Sequence, residues 1–296
     1  MIHIVGHTAI DHISRVSSLP VRNGSSTITD RTILFGGGAA NIATGIARLG
    51  GEVTLVSAVG EDFEGSAYDA WLKENGVFTE FYTVPGKHTA TAFMFTDPSG
   101  DQITFFEWGA SDSFRTSDPP SFPFVHMATA DPVFNVKVAE KAVFSSFDPG
   151  QDLHRYSAEQ LYSIISRVSL LFANQHEVEG MCRMMSISRQ DLIGMIPMAV
   201  FTRGAEGSIL YTKGKEEHIP AIPVRMVDPT GAGDAYRAGF LTAYAKRLPP
   251  LICCRVGTVA ASYVVEVAGC QTNLPGWEMM ESRYENYFGT LMLNEQ

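Results

Sequence analysis

The sequence predicts an α/β fold, a mainly parallel central sheet flanked by helices, with a small β-sheet lid. Three observations predict it. Short apolar runs alternate with segments of helical periodicity, the pattern of strands covered by helices on both faces. Two glycine-rich stretches each run straight into a helical pattern. Two segments, residues 12–35 and 89–108, break this rhythm. The chain therefore divides into a large domain of residues 1–11, 36–88 and 109–296 and a lid of residues 12–35 and 89–108.

Taken in order, Ile2–Val5 reads as the first strand. Asn41–Leu49 follows with Ile42, Ile46 and Leu49 at helical spacing and Gly50-Gly51 to stop the helix. Val53–Val59 returns as a strand and closes a βαβ-like unit. Thr89–Thr96 and Gln102–Trp108 flank Asp97-Pro98-Ser99-Gly100, a tetrapeptide with turn chemistry, and read as a hairpin. Phe93, Phe95, Phe105, Phe106 and Trp108 make it apolar on both faces, so it needs a partner surface. A lid built with the polar stretch Ser25–Thr32 is one reading, and a hairpin decorating the core is the other. Val125–Ala128, Val143–Phe147, Leu170–Ala173 and Met198–Phe201 are further strands. Ser157 and Gln160 form a capping box ahead of a helix with Leu161, Ile164, Ile165 and Val168 on one side. Asp148, Asn174 and Thr202 each follow a strand directly, and Asp11 lies a few residues beyond the first. Open parallel sheets bind ligands outside the carboxyl ends of their strands, so these residues favour a single site.

Composition narrows the functional classes. The 296 residues are 45% hydrophobic and 18% charged, ordinary for a soluble globular protein. A net charge of −10 argues against nucleic-acid binding through phosphate contacts. The four cysteines show no paired spacing and read as reduced thiols of a cytoplasmic protein. No apolar stretch approaches ~18 residues, and no secretory leader pattern is present, so no membrane partner is expected.

The chemistry concentrates in Val227–Phe240. Gly231, Ala232 and Gly233 carry almost no side chain and precede a helical pattern that runs from Ala235. At a helix start their N–H groups and the dipole favour an anion. A carboxylate beside an anion site repels the anion, so Asp234 needs a reason. It can take a proton from a hydroxyl attacking phosphorus, or it can serve as an N-cap. Gly36-Gly37-Gly38-Ala39-Ala40-Asn41 also opens a helix, but it lacks the third glycine and the later acidic residue of a dinucleotide fingerprint. Its backbone can lie against a polyhydroxylated substrate, with Asn41 adding an amide and Asp11 a carboxylate for vicinal hydroxyls; a tight turn with close helix packing is the plainer reading. No Walker-type loop occurs, and His176-Glu177-Val178-Glu179-Gly180 lacks the second His of a zinc-protease motif. Asn174 with Glu177 suits either a metal-bound phosphate or a helix cap. Thr202–Gly207 suits either a nucleotide-contacting loop or a turn before the strand Ser208–Tyr211.

Gly-Gly-Gly-Ala-Ala-Asn-Ile-Ala with Arg-Leu-Gly following, and Asp-Pro-Thr-Gly-Ala-Gly-Asp-Ala-Tyr-Arg-Ala-Gly-Phe about 190 residues later, resemble the two signatures of ribokinase-like (PfkB-type) carbohydrate and nucleoside kinases. The resemblance runs from Ile2 to about Trp277. His126–Pro132 and Ser146–Gln151 most resemble the archaeal-type, adenosine-kinase-like nucleoside kinases of that family. The resemblance implies that Asp234 activates the acceptor hydroxyl and that Gly231, Ala232 and Gly233 form an anion hole. It implies that Asn174 and Glu177 organise Mg²⁺ and its waters, and that Asn174, Thr202, Gly204 and Gly207 meet ATP. Asp11, Gly37, Gly38 and Asn41 would contact sugar hydroxyls. Asp228, Thr230, Gly269 and Asn273 fall where some members hold a monovalent cation such as K⁺. Several members also dimerise through the lid. Pro229, Tyr236 and Glu206 depart from common family residues, and Arg237 reads either as a charge neutraliser or as a surface residue. The expected activity is ATP- and Mg²⁺-dependent phosphorylation of a nucleoside 5′-hydroxyl. A sugar kinase acting on ribose, a ketose or a sugar phosphate, and a non-catalytic sensor, are the alternatives.

Overall fold

The computed structural model describes residues 1–291 of the chain. Strand β1 (Ile2–Val5) is buried on both faces by its isoleucines and valine. The chain enters β2 (Ala9–Val16) and returns antiparallel in β3 (Ile28–Gly36). Gly37 alone separates β3 from helix α1 (Gly38–Arg48). Gly37 holds φ +90°, and a Cβ there would lie 2.5 Å from the His7 carbonyl, so only glycine fits without moving the backbone. Next come β4 (Val53–Gly60), α2 (Ala67–Glu74), capped by the Ser66 side chain, and β5 (Phe78–Val84). The hairpin of β6 (Ala90–Thr96) and β7 (Gln102–Glu107) turns where the Asp97 carboxylate accepts the N–H groups of Ser99 and Asp101. Strand–helix alternation continues through β8 (Phe124–Met127), α3 (Pro132–Lys141), β9 (Phe144–Phe147) and α4 (Ala158–Ile165). It runs on through β10 (Leu170–Asn174), α5 (Gln175–Met185), α6 (Arg189–Gly194) and β11 (Met198–Thr202). An antiparallel pair, β12 (Ser208–Thr212) and β13 (Lys215–Ile219), precedes α7 (Ala232–Ala245), α8 (Pro250–Val264) and α9 (Trp277–Phe288).

The strands form a nine-stranded sheet in the order β13-β12-β11-β10-β9-β8-β1-β4-β5, in which only β12 runs against the rest, pairing antiparallel with β11 and β13. A separate four-stranded sheet has the order β3-β2-β6-β7. Alternate strand residues feed two cores. In β10, Leu170 and Phe172 join Phe240, Val256 and Met280 from α7, α8 and α9. Leu171 and Ala173 join Phe134, Ile164 and Met181 from α3, α4 and α5 on the other face. Each large side chain buried this way contributes roughly 1.5–3 kcal/mol, so the two cores fix the strand ends that carry the site. No helix among the described residues is long and apolar enough to cross a membrane.

Differences from the sequence reading are local. The small sheet begins at Ala9, not at residue 12, because Ala9–Val16 pairs with β3 on one side and β6 on the other. Asp11 therefore stands on the small sheet and not in a loop after β1. The helix expected from Asn41 starts at Gly38, and the one expected from Ala235 starts at Ala232.

Candidate active site

Several polar residues stand at the carboxyl ends of interior strands of the large sheet. Asn174 and Thr202 are register partners at the ends of β10 and β11, and Asp148 directly follows β9. Gly231, at φ +80°, caps α7, and a Cβ there would lie 2.8 Å from the Cys270 Cα. A helix start leaves its first N–H groups without intrahelical partners. The Ala232 N–H is donated to the Pro229 carbonyl at 3.2 Å, so the cradle offers chiefly the amides beside it.

Asp234 is the third residue of α7, and no side chain caps this helix, so the N-cap alternative for Asp234 does not hold. Its Oδ2 accepts the Asn41 Nδ2–H at 2.9 Å, which brings together two residues 193 positions apart. Its Oδ1 lies 3.8 Å from Arg237 Nη1 and 3.8 Å from the position a Cβ on Gly38 would take. With 22% of its side chain exposed, Asp234 is reachable from solvent. Burial pushes its pKa up to about 6, while Arg237 and the Asn41 hydrogen bond oppose the rise and Asp148 adds to it. Asp11 faces the same place. A Cβ on Gly36 would run into its carboxylate, and burial followed by repulsion from Asp234 pushes its pKa up to about 7.

Arg237 is buried, not a surface residue. Its Nη2 lies 2.5 Å from Asp148 Oδ2, and its guanidinium folds back beneath Gly233. Burial raises the Asp148 pKa and Arg237 opposes that rise; Glu177 is pushed up to about 7 by burial and then by Asp148. His126, behind this cluster, is held well below the usual histidine range by burial and by Arg237, and so stays neutral.

Asn174 and Glu177 form a full capping box: the Asn174 N–H reaches Glu177 Oε2 at 2.7 Å, and the Glu177 N–H reaches Asn174 Oδ1 at 2.9 Å. This leaves Glu177 Oε1 for another partner. Gly204 and Gly207 turn the chain between β11 and β12, and a Cβ on Gly207 would run into the Ile219 carbonyl. Glu206 pairs with Arg203 at the surface. Asp228 accepts the N–H groups of Thr230 at 2.9 Å and Gly269 at 3.2 Å, whereas Asn273 donates its amide to the Tyr263 carbonyl at 2.6 Å. Among the described residues no group of three or more His, Cys, Asp or Glu is arranged to hold a metal ion.

Two clusters have no counterpart in the sequence reading. Behind Asn41 stand Gln271, Tyr68 and Trp71, joined by hydrogen bonds of 2.8–2.9 Å. Beside the Gly37 turn, buried His7 donates its Nε2–H to Asp152 Oδ2 at 3.0 Å and packs edge-on against Trp108, over which Arg155 lies at 3.4 Å. Both clusters join residues distant in sequence, and nothing in local spacing marks them.

The raised carboxylates have a measurable consequence. A carboxyl whose folded pKa exceeds its unfolded value stabilises the fold most below its unfolded pKa, and that contribution is lost as pH rises through the folded one. For Asp11 the window is about pH 4 to 7. Asp11→Asn is therefore expected to gain in Tm relative to the parent, by several degrees, between pH 5 and pH 8. Parallel melting curves with no pH-dependent difference would rule out this raised pKa.

A helix start with an acid in its first turn is suited to phosphoryl transfer onto an alcohol. The pattern of the pfkB family of carbohydrate kinases matches residues 1–277, and the chain belongs to that family. It is 43% identical over 290 residues to a nucleoside kinase of Methanocaldococcus jannaschii, covering 96% of each chain. It is 42% identical over 296 residues to a nucleoside kinase of Methanothermobacter thermautotrophicus, again over 96% of each. The crystal structure of the M. jannaschii nucleoside kinase superimposes with a TM-score of 0.93, covering 97% of this chain and 98% of that one.

Proposed function

We propose that this kinase transfers the γ-phosphoryl group of ATP to the 5′-hydroxyl of a nucleoside. The hydroxyl proton passes to Asp234, a new O–P bond forms, the bridging bond to the β-phosphate breaks, and ADP leaves. The observation that carries this reading is the placement of Asp234 between Asn41 and Arg237 at the mouth of the 231–233 cradle. A carboxylate held near pKa 6 is ionised at neutral pH yet basic enough to accept a proton. The relatives of 42–43% identity named nucleoside kinases support a nucleoside as acceptor.

Asn174 and Glu177 would hold Mg²⁺ through its waters, with Glu177 Oε1 the oxygen that the capping box leaves open. When bound with ATP, Mg²⁺ would neutralise charge on the β- and γ-phosphates. Asp228, Thr230, Gly269 and Asn273 could offer oxygens to a monovalent cation such as K⁺, since Asn273 engages its amide NH₂, not its oxygen, with the Tyr263 carbonyl. The free cysteines Cys182, Cys253, Cys254 and Cys270 suit a cytoplasmic enzyme.

The outer face of the small sheet exposes Phe105 at 62%, Ile33 at 51% and Ile103 at 40%. We assign this face to a second copy of the chain. Light scattering is expected to give a dimer mass for the parent and a monomer for Phe105→Glu with Ile33→Glu; a monomeric parent would remove the assignment.

The functional test is ADP release with ATP–Mg²⁺ against purine and pyrimidine nucleosides, ribose, fructose and fructose 6-phosphate. Turnover with nucleosides well above the sugars is expected. Preference for a sugar or sugar phosphate would transfer the chain to the sugar-kinase reading, and nucleoside binding without ADP release would make it a sensor.

A further inference from the structure

The Asn41 amide has two ends of opposite character, and the site needs only one of them toward Asp234. An amide can present its NH₂ or its carbonyl oxygen to a neighbour, and side-chain shape alone does not choose. Here the choice is made two residues away. The Trp71 indole N–H can only donate, and it donates to Gln271 Oε1 at 2.8 Å. Gln271 must then turn its NH₂ inward, where Nε2 donates to Asn41 Oδ1 at 2.9 Å and to the Tyr68 hydroxyl at 2.8 Å. The Tyr68 hydroxyl in turn donates a hydrogen bond to the Gly36 carbonyl at 2.7 Å. With Oδ1 engaged, Asn41 must present Nδ2 to Asp234 Oδ2. Gln271, Tyr68 and Asn41 are all buried, so no water substitutes for a lost partner at small cost.

We propose that Trp71 and Gln271 are positioning residues that lock the Asn41 amide with its NH₂ toward Asp234, occupying Oδ2 and leaving Oδ1 to face the acceptor hydroxyl near Gly38. The proposal rests on the reading of Asp234 as the base. A rotated Asn41 would offer its carbonyl oxygen instead. It would repel the carboxylate and accept a hydrogen bond from the protonated acid, so the wrong protonation state would gain. The other charged or titratable groups around Asp234 are Arg237 on the same helix, Asp148 after β9, Asp11 on β2, Glu177 on α5, Tyr68 on α2 and Cys270. A change at Gln271 to a neutral residue alters the charge of none of them.

The test is the pH profile of kcat/KM for the nucleoside in Gln271→Met, close in shape but unable to donate, and in Trp71→Phe. The acid limb is expected to move up by about half to one pH unit in Gln271→Met and by less, in the same direction, in Trp71→Phe. In an Asn41→Ala background, Gln271→Met is expected to leave the limb where Asn41→Ala puts it, because Gln271 acts only through that amide. Trp71→Phe keeps the test available should Gln271→Met fail to fold. Acid limbs that superimpose on the parent, with changes only in Tm, would overturn the proposal. The base assignment fails separately: near-normal turnover in Asp234→Asn removes it, whereas an inactive Asp234→Asn with unmoved Gln271 and Trp71 profiles removes the positioning pair alone.

Discussion

Asp234→Asn is expected to lower kcat by about 10²–10⁴-fold while nucleoside affinity stays near that of the parent and Tm does not fall. The substitution keeps shape and removes only the ability to take a proton. Asn41 Nδ2 would still find an oxygen at residue 234, so the 2.9 Å contact has a replacement acceptor. The group facing Gly38 would become an NH₂, which cannot act as a base. Arg237 keeps Asp148 as its close partner at 2.5 Å, so no buried cation is stranded. Rapid-quench measurement of the phosphoryl-transfer step separates chemistry from product release. A variant with parental turnover would show that the proton goes elsewhere and that the carboxylate is only a spectator of the cradle.

The second large effect belongs to stability. Arg237→Met is expected to destabilise the protein by about 3–5 kcal/mol, the usual cost of removing one member of a buried ion pair. This corresponds to a drop in Tm on the order of 10 °C. Arg237 is the cation between Asp148, Asp234 and Glu177, and its removal leaves three acids facing one another in a half-dry site. Arg237→Lys should recover only part of the loss, because one ammonium cannot reproduce the planar fork. Adding Asp148→Asn to Arg237→Met should restore several degrees by removing the stranded carboxylate. If the double variant is no more stable than the single one, the Asp148–Arg237 pair is not the source of the loss. Differential scanning calorimetry at pH 7.5 reads all three variants directly.

What the sequence made legible follows from where each signal lies. β1, β4, β10 and β11 are largely apolar runs because both of their faces are covered, and they stand almost where expected. β13, Lys-Glu-Glu-His-Ile, carries almost no apolar signal because it is an exposed sheet edge, and only its pairing with β12 makes it a strand. β5 at the opposite edge was missed for a related reason, since its residues are only partly covered. Within the site, Gly231–Asp234 and Gly36–Asn41 are contiguous and readable. Gln271 meets Asn41 across 230 positions and His7 meets Asp152 across 145, contacts that folding alone creates. Arg237 lay in full view inside the second motif, but its burial depends on Asp148, and helical spacing cannot say which face a lone arginine takes.

The single residue between β3 and α1 has a mechanical consequence. The strand paired with β2, which bears Asp11, runs into the helix that bears Asn41 with no slack beyond Gly37. Any swing of the small sheet about that joint carries Asp11 while the Asn41 amide, four residues past the joint, stays fixed to the large domain. Under the function proposed above, shutting out solvent and grasping the alcohol would then be one gesture, geared through the same glycine, and stiffening that pivot would slow both together.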